Sequence, residues 1–264
     1  MTLTRSHIED AAQVLAARRI SGDQGPRLPP DCRPETLDEA FDIQAAVTRL
    51  LGARIGGWKC ALPSDGRLVA APIFAGTVHA DSSACPVFAR GDRVRAEPEL
   101  AFVLGCDLPA RSTLYTPAEV DAAIARTHIA LELIDSRYLP DEATEATFAE
   151  KLADGLVNQG LFLGPEVDAG QARLATDFPI DVRLSTGDAA NLMGHHPDGP
   201  PRAPLYWLVE FLRSRGHGLF AGQAVITGSY AGSFPLPLET DLSVRYGNLG
   251  ELSVRFTRLN IDPL

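Results

Sequence analysis

The sequence predicts an α+β fold in which a helical section, residues 1–53, precedes a β-rich body, residues 54–264. Two observations support this prediction. Before residue 54, apolar side chains recur at the three- and four-residue spacing of an amphipathic helix. After it, short apolar runs alternate with Gly and Pro, which is typical of strands joined by turns. Because no low-complexity linker interrupts the chain, we expect a single α+β body.

Each predicted N-terminal helix begins with a capping box, in which a hydroxyl side chain and a carboxylate three positions on satisfy free backbone N–H groups. Ser6 and Glu9 begin the first helix, and Thr36 and Glu39 begin the second. The expected apolar face of the first comprises Ile8, Ala11, Ala12, Leu15 and Ala16. That of the second comprises Phe41, Val47, Leu50 and Leu51. A glycine follows each run and marks the expected helix end.

Later elements are predicted from alternation and from turn residues. Strands are expected at residues 94–104, 128–134, 242–245 and 252–255, the last two as a hairpin. A helix is expected from Pro117, because proline in the first helical position loses no hydrogen bond. Another is expected at residues 205–215, where apolar residues recur on one face.

Acidic residues outnumber basic ones in this chain. Lys and Arg total 24 against 34 Asp and Glu, so the formal net charge is −10 and the pI is about 5.1. Because the sequence has no basic patch, we expect no nucleic-acid partner. It also has no apolar run approaching the ~20 residues of a membrane span and no signal-peptide pattern at its start. The four cysteines form no CxxC pair, and we expect free thiols in a cytoplasmic protein.

Three acidic residues stand inside the predicted strands. Glu97 and Glu99 share one strand face, because side chains alternate along a strand. Pro98 between them cannot donate to a sheet, so we expect an edge or a bulge here. Glu132 stands between leucines in a run that is apolar on both faces, which indicates burial. A buried carboxylate without a partner is costly, so something must neutralise Glu132.

One divalent cation could bind all three carboxylates and offset their charge, since hard ions such as Mg²⁺ and Mn²⁺ prefer carboxylate oxygens. The alternatives are that Glu97 and Glu99 are solvated edge charges and that Glu132 pairs with Arg95 or Arg137. The residues alone leave these alternatives open.

The two acidic segments resemble the acidic motifs of the 2-keto-4-pentenoate hydratase and 4-oxalocrotonate decarboxylase family, within the fumarylacetoacetate hydrolase superfamily. Three further segments are similar to family motifs in the same order. The five segments are 56–62 (GGWKCAL), 97–104 (EPELAFVL), 130–137 (ALELIDSR), 153–164 (ADGLVNQGLFLG) and 221–229 (AGQAVITGS). The resemblance runs from about residue 36 to the end of the chain.

The resemblance implies a mixed β-roll with a helical N-terminal section, and a Mg²⁺ or Mn²⁺ ion held by Glu97, Glu99 and Glu132. It places Lys59 beside the substrate as a catalytic residue. There it would pair with a substrate carboxylate or, if desolvation lowers its pKa, donate a proton. The implied pocket residues are Asn158, Thr227, Gly228 and Ser229.

The implied function is that of a lyase, a hydratase or decarboxylase, acting on a small 2-oxo or 2-hydroxydienoic acid from aromatic catabolism. We also expect a homo-oligomer, as in the superfamily. Two positions depart from the family pattern: Ile73 stands where an Asp often takes part in proton transfer, and Gly155 stands where an Asn is found. His79 is a candidate replacement for the missing acid. The histidines at 195 and 196 are expected in a loop or lid and to point opposite ways.

These departures leave two alternatives open. One is a C–C hydrolase of acylpyruvates, which would need a water-activating base. The other is a catalytically silent paralogue that supports a partner enzyme of the same pathway.

Overall fold

Helices at the start of the chain precede two β-sheets in the computed structural model, which describes residues 2–259. The helices are α1 (Arg5–Ser21), α2 (Leu37–Leu50), α3 (Pro117–Ala123), α4 (Pro140–Glu145), α5 (Phe148–Ala153), α6 (Ala169–Arg173) and α7 (Ala203–Ser214). Short 3-10 turns lie at Pro30–Cys32 and Ala75–Thr77. No helix of the described residues is both long enough and apolar enough to cross a membrane.

The strands alternate with these helices along the rest of the chain. They are β1 (Ile55–Ser64), β2 (Arg67–Phe74), β3 (Val78–His79), β4 (Cys85–Val87), β5 (Arg93–Leu104), β6 (Ile124–Ile134), β7 (Asn158–Glu166), β8 (Asp177–Leu184), β9 (Ala189–His195), β10 (Ala224–Ile226), β11 (Phe234–Pro237), β12 (Asp241–Tyr246) and β13 (Gly250–Arg258).

The N-cap of the first helix lies two residues before the predicted one. Thr4, not Ser6, is the N-cap: its hydroxyl accepts from the His7 backbone N–H at 3.3 Å, and the Thr4 N–H donates to His7 Nδ1. The prediction of a box between Ser6 and Glu9 is therefore wrong, because a histidine ring nitrogen takes the part usually played by a carboxylate. The predicted end is confirmed, since Gly22 has the left-handed φ of 72° that closes many helices.

The second helix begins at the predicted Thr36 and Glu39 box, which is present in full. Its buried face differs from the prediction, which included Leu50; that side chain is 44% exposed. The buried apolar residues of α2 are Ala40, Ile43, Ala46 and Val47. They pack with α1 and with Leu152 of α5 in a core of their own. The predicted division at residue 53 stays a prediction.

The larger sheet has the order β2-β1-β10-β5-β6-β7-β3, with β11 also paired to β5. β1 and β10 run parallel, as do β3 and β7, while the other pairs are antiparallel. The smaller sheet has the order β4-β13-β12-β8-β9 and contains the predicted C-terminal hairpin, β12 with β13. Residues of both sheets and of α7 form the main core, among them Phe102, Val244, Phe256 and Leu208.

Pro98 lies in the middle of the larger sheet, where the expected bulge is absent and the expected edge is present locally, on one side of β5. Residues 101–103 of β5 pair with β10, and residues 93–96 pair with β11. Residues 97–100 therefore have a strand on one side only. The Pro98 carbonyl accepts from the Tyr230 N–H at 2.9 Å, on the side away from β6. Because the N and C=O of one strand residue face the same way, the missing N–H of Pro98 removes no bond to β6.

Candidate metal centre

Adjacent strands β5 and β6 bring the three predicted carboxylates together. Glu97 and Glu132 are directly opposite each other in the antiparallel register, and Glu99 lies one pleat further on the same face. One carboxylate oxygen from each lies within 4.8 Å of the others. Glu99 is 2% exposed and Glu132 is fully buried, while Glu97 is partly exposed. The structure thus forms a compact, all-oxygen group of donors.

Burial sets the electrostatics of this group. It raises the pKa of Glu99 well above its usual range, and the charges of Glu132 and Glu97 raise it further, against the Gly228 N–H that donates to Glu99 Oε2 at 2.7 Å. The pKa of Glu97 is also raised, by burial and then by Glu132. Carboxylates this close resist ionising together unless a cation joins them.

Glu132 uses only one of its two oxygens. Its Oε1 accepts from Lys59 Nζ at 2.7 Å and from Asn158 Nδ2 at 2.8 Å. Its Oε2 is buried and has no hydrogen-bond partner among the described residues. A buried acceptor without a partner costs roughly 1–3 kcal/mol, which a bound cation would remove. Carboxylate oxygens are the ligands that Mg²⁺ and Mn²⁺ prefer, so the donor set fits such an ion.

Lys59 reaches this face from β1, two strands away from β5. Its partner in the parallel register is Ile226 of β10, and Ile226 is opposite Ala101 of β5. All three therefore lie on the face that carries the carboxylates. Lys59 Nζ also donates to the Leu156 carbonyl at 3.2 Å. The two alternative partners of Glu132 are engaged elsewhere, Arg95 with Ser233 and Arg137 with Asp154.

The pKa of Lys59 moves in the opposite direction to the one that a proton donor would need. Burial disfavours its ammonium, but the charges of Glu132, Glu97 and Glu99 favour it more, so the pKa is raised. The proton-donor role carried the condition of a lowered pKa, which this arrangement of charges does not favour. Lys59 is thus a fixed positive charge beside the carboxylates.

The predicted pocket residues divide into two groups. Asn158 contacts Glu132, and the Gly228 N–H contacts Glu99, as described above. The hydroxyls of Thr227 and Ser229 are directed elsewhere: Thr227 Oγ1 lies 3.4 Å from His196 Nε2, and Ser229 Oγ donates to the Gly232 carbonyl at 3.1 Å. Only part of the predicted turn therefore meets the carboxylates directly.

Ile73 and His79 lie on different faces of the larger sheet. Ile73 is fully buried in an apolar group with Ala101 and Leu161, on the face of the carboxylates. His79 pairs with Phe162, one residue beyond the partner of Glu132 in β7, so its side chain faces the other way. Burial lowers the pKa of His79. This placement does not fit a role for His79 as the replacement acid.

Two residues behind the site were not among its predicted members. His196 lies in a loop directly after β9, as expected, but is fully buried, and His195 points the opposite way, to Asp177 at the surface. Arg19 of α1 donates to the carbonyls of Asp154 and Asn158. Neither lies near an acidic motif in the sequence, and only the tertiary fold brings them close, so no local signal could have found them.

Comparisons with known proteins support the motif-based resemblance. No family model matches the chain. The chain is 29% identical to 2-oxo-hept-4-ene-1,7-dioate hydratase of Escherichia coli over 244 residues, 84% of this chain and 87% of that protein. It is also 29% identical to a 4-oxalocrotonate decarboxylase of a Pseudomonas species, over 95% of this chain and 98% of the relative.

Solved structures agree on the fold. The 4-oxalocrotonate decarboxylase of Pseudomonas putida G7, complexed with magnesium and adipate, superimposes with a TM-score of 0.78 at 21% identity, covering 97% of this chain and 99% of that one. A yeast fumarylacetoacetate hydrolase family protein superimposes with a TM-score of 0.50 at 17% identity, covering 81% and 97%. The predicted α+β fold of the fumarylacetoacetate hydrolase type is confirmed, and so is the resemblance.

Proposed function

We propose that this chain, a relative of the hydratases and decarboxylases named above, is a divalent-metal-dependent lyase acting on a small 2-oxo or 2-hydroxydienoic acid. The observation that carries the proposal is the buried carboxylate group of Glu97, Glu99 and Glu132, in which one buried oxygen lacks a partner. The magnesium in the Pseudomonas putida decarboxylase supports the choice of ion. We propose Mg²⁺ or Mn²⁺ for this chain.

Glu97, Glu99 and Glu132 would hold the cation. When bound, the ion supplies a Lewis acid that favours negative charge on the oxygen next to the carboxylate of a 2-oxo acid. Lys59 adds a positive charge on the same face, and its pairing with Glu132 keeps that charge in place. With the three carboxylates ionised, the cation and Lys59 bring the formal charge of the site to zero, so the acidic chain can bind an acidic substrate there.

Buried apolar residues pack beneath the carboxylates. Ala101, Ala130, Leu161 and Ile226 are buried on the same face and exclude water beneath the charged groups. A low-dielectric surround strengthens each charge interaction with a substrate. Asn158 and the Gly228 N–H orient the two buried carboxylates by the hydrogen bonds already described. We propose that Thr227 and Ser229 complete this wall.

The assembly and location are part of the same proposal. We propose a cytoplasmic homo-oligomer, able to associate with a partner enzyme of its pathway. All four cysteines are free, which is the usual state of cytoplasmic thiols. The exposed apolar side chains of Leu174 and Met193 would suit a contact between copies.

The test compares the wild type with Glu132→Gln, which keeps the shape of the side chain but removes its charge. With Mg²⁺ or Mn²⁺ and 2-hydroxypenta-2,4-dienoate, the dienol absorbance should decay for the wild type and for the surface control Glu166→Gln, but not for Glu132→Gln. Release of CO₂ from 4-oxalocrotonate would identify a decarboxylase. Equal decay in all three proteins would contradict the proposal, cleavage of an acylpyruvate alone would favour a hydrolase, and metal binding without turnover would favour a silent paralogue.

A further inference from the structure

The segment between α5 and β7 has an unusual backbone. Gly155, Leu156 and Val157 have φ values of 72°, 52° and 61°, so three consecutive residues are left-handed. For residues other than glycine this region costs about 1–2 kcal/mol each. Such a segment, here called the 154–158 turn, persists only where surrounding contacts hold it.

The 154–158 turn supplies two groups to the carboxylate site. The Leu156 carbonyl accepts from Lys59 Nζ at 3.2 Å, and Asn158 Nδ2 donates to Glu132 Oε1 at 2.8 Å. The positions of Lys59 and Glu132 therefore depend on the shape of this turn.

Arg19 of α1 joins the two ends of the turn. Its Nη1 donates to the Asn158 carbonyl at 3.2 Å, and its Nη2 donates to the Asp154 carbonyl. The side chain is only 13% exposed. One planar guanidinium with fixed donors thus spans the left-handed residues, a geometry that lysine cannot reproduce.

Gly155 makes room for this guanidinium. A Cβ at position 155 would lie 2.8 Å from Arg19 Nη2. A side chain at position 155 would therefore have to displace the Arg19 guanidinium.

A second guanidinium fixes the first residue of the turn. Arg137 Nε donates to Asp154 Oδ1 at 2.7 Å, and both side chains are buried. Burial and the nearby charge of Arg137 lower the pKa of Arg19 to about 9. Arg19 is therefore buried although burial disfavours its charge. An arginine in a surface salt bridge would not carry this cost.

We propose that Arg19 is a positioning residue for the metal centre. It fixes the 154–158 turn, and through Asn158 and Leu156 it sets the positions of Glu132 and Lys59. The N-terminal helix α1 is thereby coupled to a site on the β-sheet. This inference rests on the proposed metal-binding function.

The experiment measures Mg²⁺ binding to the full chain by calorimetry, with unfolding followed in parallel. We expect Arg19→Met to weaken Mg²⁺ binding about tenfold, the size typical of groups that orient ligands. The matched control is Arg18→Met, because Arg18 also donates to backbone carbonyls, those of Pro26 and Arg137, but does not touch the turn. Arg18→Met should bind Mg²⁺ as the wild type does. Arg19→Lys should recover part of the loss.

The double variant Arg19→Met with Asn158→Ala distinguishes positioning of the metal centre from a general contribution of Arg19 to stability. If Arg19 acts through the turn that carries Asn158, the double variant weakens Mg²⁺ binding by clearly less than the product of the two single effects, whereas independent effects of about tenfold each would multiply to about a hundredfold. Multiplying effects, or equal binding by the Arg19 and Arg18 variants, would overturn the inference. If Arg19→Met does not fold, Arg19→Lys takes its place in the double variant. A wild type that binds no Mg²⁺ would instead refute the proposed function.

Discussion

Glu97 and Glu132 lie directly opposite each other on neighbouring antiparallel strands. Like charges in this relationship destabilise a sheet, and neighbouring strands usually carry opposite or neutral pairs there. Lys59, on the far side of β10, offsets part of the repulsion between the two carboxylates. A bound cation would offset the remaining repulsion, so the pair serves the metal centre at a cost to the stability of the sheet.

Loss of the Lys59 charge should destabilise the metal-free protein. Lys59→Met leaves Glu132 buried without its cationic partner, which costs roughly 3–5 kcal/mol. We expect a lower free energy of unfolding in EDTA and partial recovery in Mg²⁺, measured by urea denaturation. Lys151, the other lysine of the chain, provides the control Lys151→Met. Equal losses in the two variants, or no recovery in Mg²⁺, would contradict the pairing.

His196 should make stability depend on pH. Burial lowers its pKa to about 4, below the ~6.5 of an unfolded histidine. Its contribution is complete above pH 6.5 and is lost as the pH falls toward 4, because the unfolded chain binds the proton first. Between pH 7 and 5 the wild type should lose about 2 kcal/mol more than His196→Gln.

The glutamine in that variant keeps an N–H for Thr227, so packing changes little. Urea denaturation at the two pH values measures the difference, and comparison with the variant cancels the contributions of other groups. The exposed His217 provides the control His217→Gln, which should follow the wild type. A His196→Gln curve parallel to that of the wild type would show that His196 is not buried uncharged.

Gly57 should tolerate no side chain. An added Cβ would lie 2.3 Å from the Ala224 carbonyl oxygen, within the parallel pairing that places Lys59. We expect Gly57→Ala to destabilise the protein by about 1–3 kcal/mol. Gly76→Ala is the matched control, because a Cβ at Gly76 would meet nothing within 4 Å. Thermal unfolding of both variants measures the difference. If Gly57→Ala were as stable as the wild type, β1 and β10 would be less closely paired than described.

Alternation along a strand was enough to predict that Glu97 and Glu99 share a face, and an apolar run was enough to predict that Glu132 is buried. These signals are local, and the structure agrees with them. The pairing of Lys59 with Glu132 depends on the order β1-β10-β5-β6, in which β10 comes from far along the chain. No spacing in the sequence encodes that order.

Other differences between the predictions and the structure also have physical causes. The cap of α1 uses His7, which does not match the usual carboxylate pattern. Pro98 does mark an edge, but a local one: its nitrogen faces the gap between β10 and β11, inside a sheet whose order the sequence does not encode. Arg19 acts through backbone carbonyls more than 130 residues away, a contact that leaves no trace in either local sequence.

The gap beside residues 97–100 leaves the middle of β5 without a second neighbouring strand. A central strand is ordinarily hydrogen-bonded to strands on both sides. Here a loop meets the open side with two backbone N–H groups: that of Gly228 donates to Glu99 Oε2, and that of Tyr230 donates to the Pro98 carbonyl. Neither bond belongs to the β5–β6 ladder, so the backbone that meets Glu99 is independent of the pairing that sets Glu97 opposite Glu132.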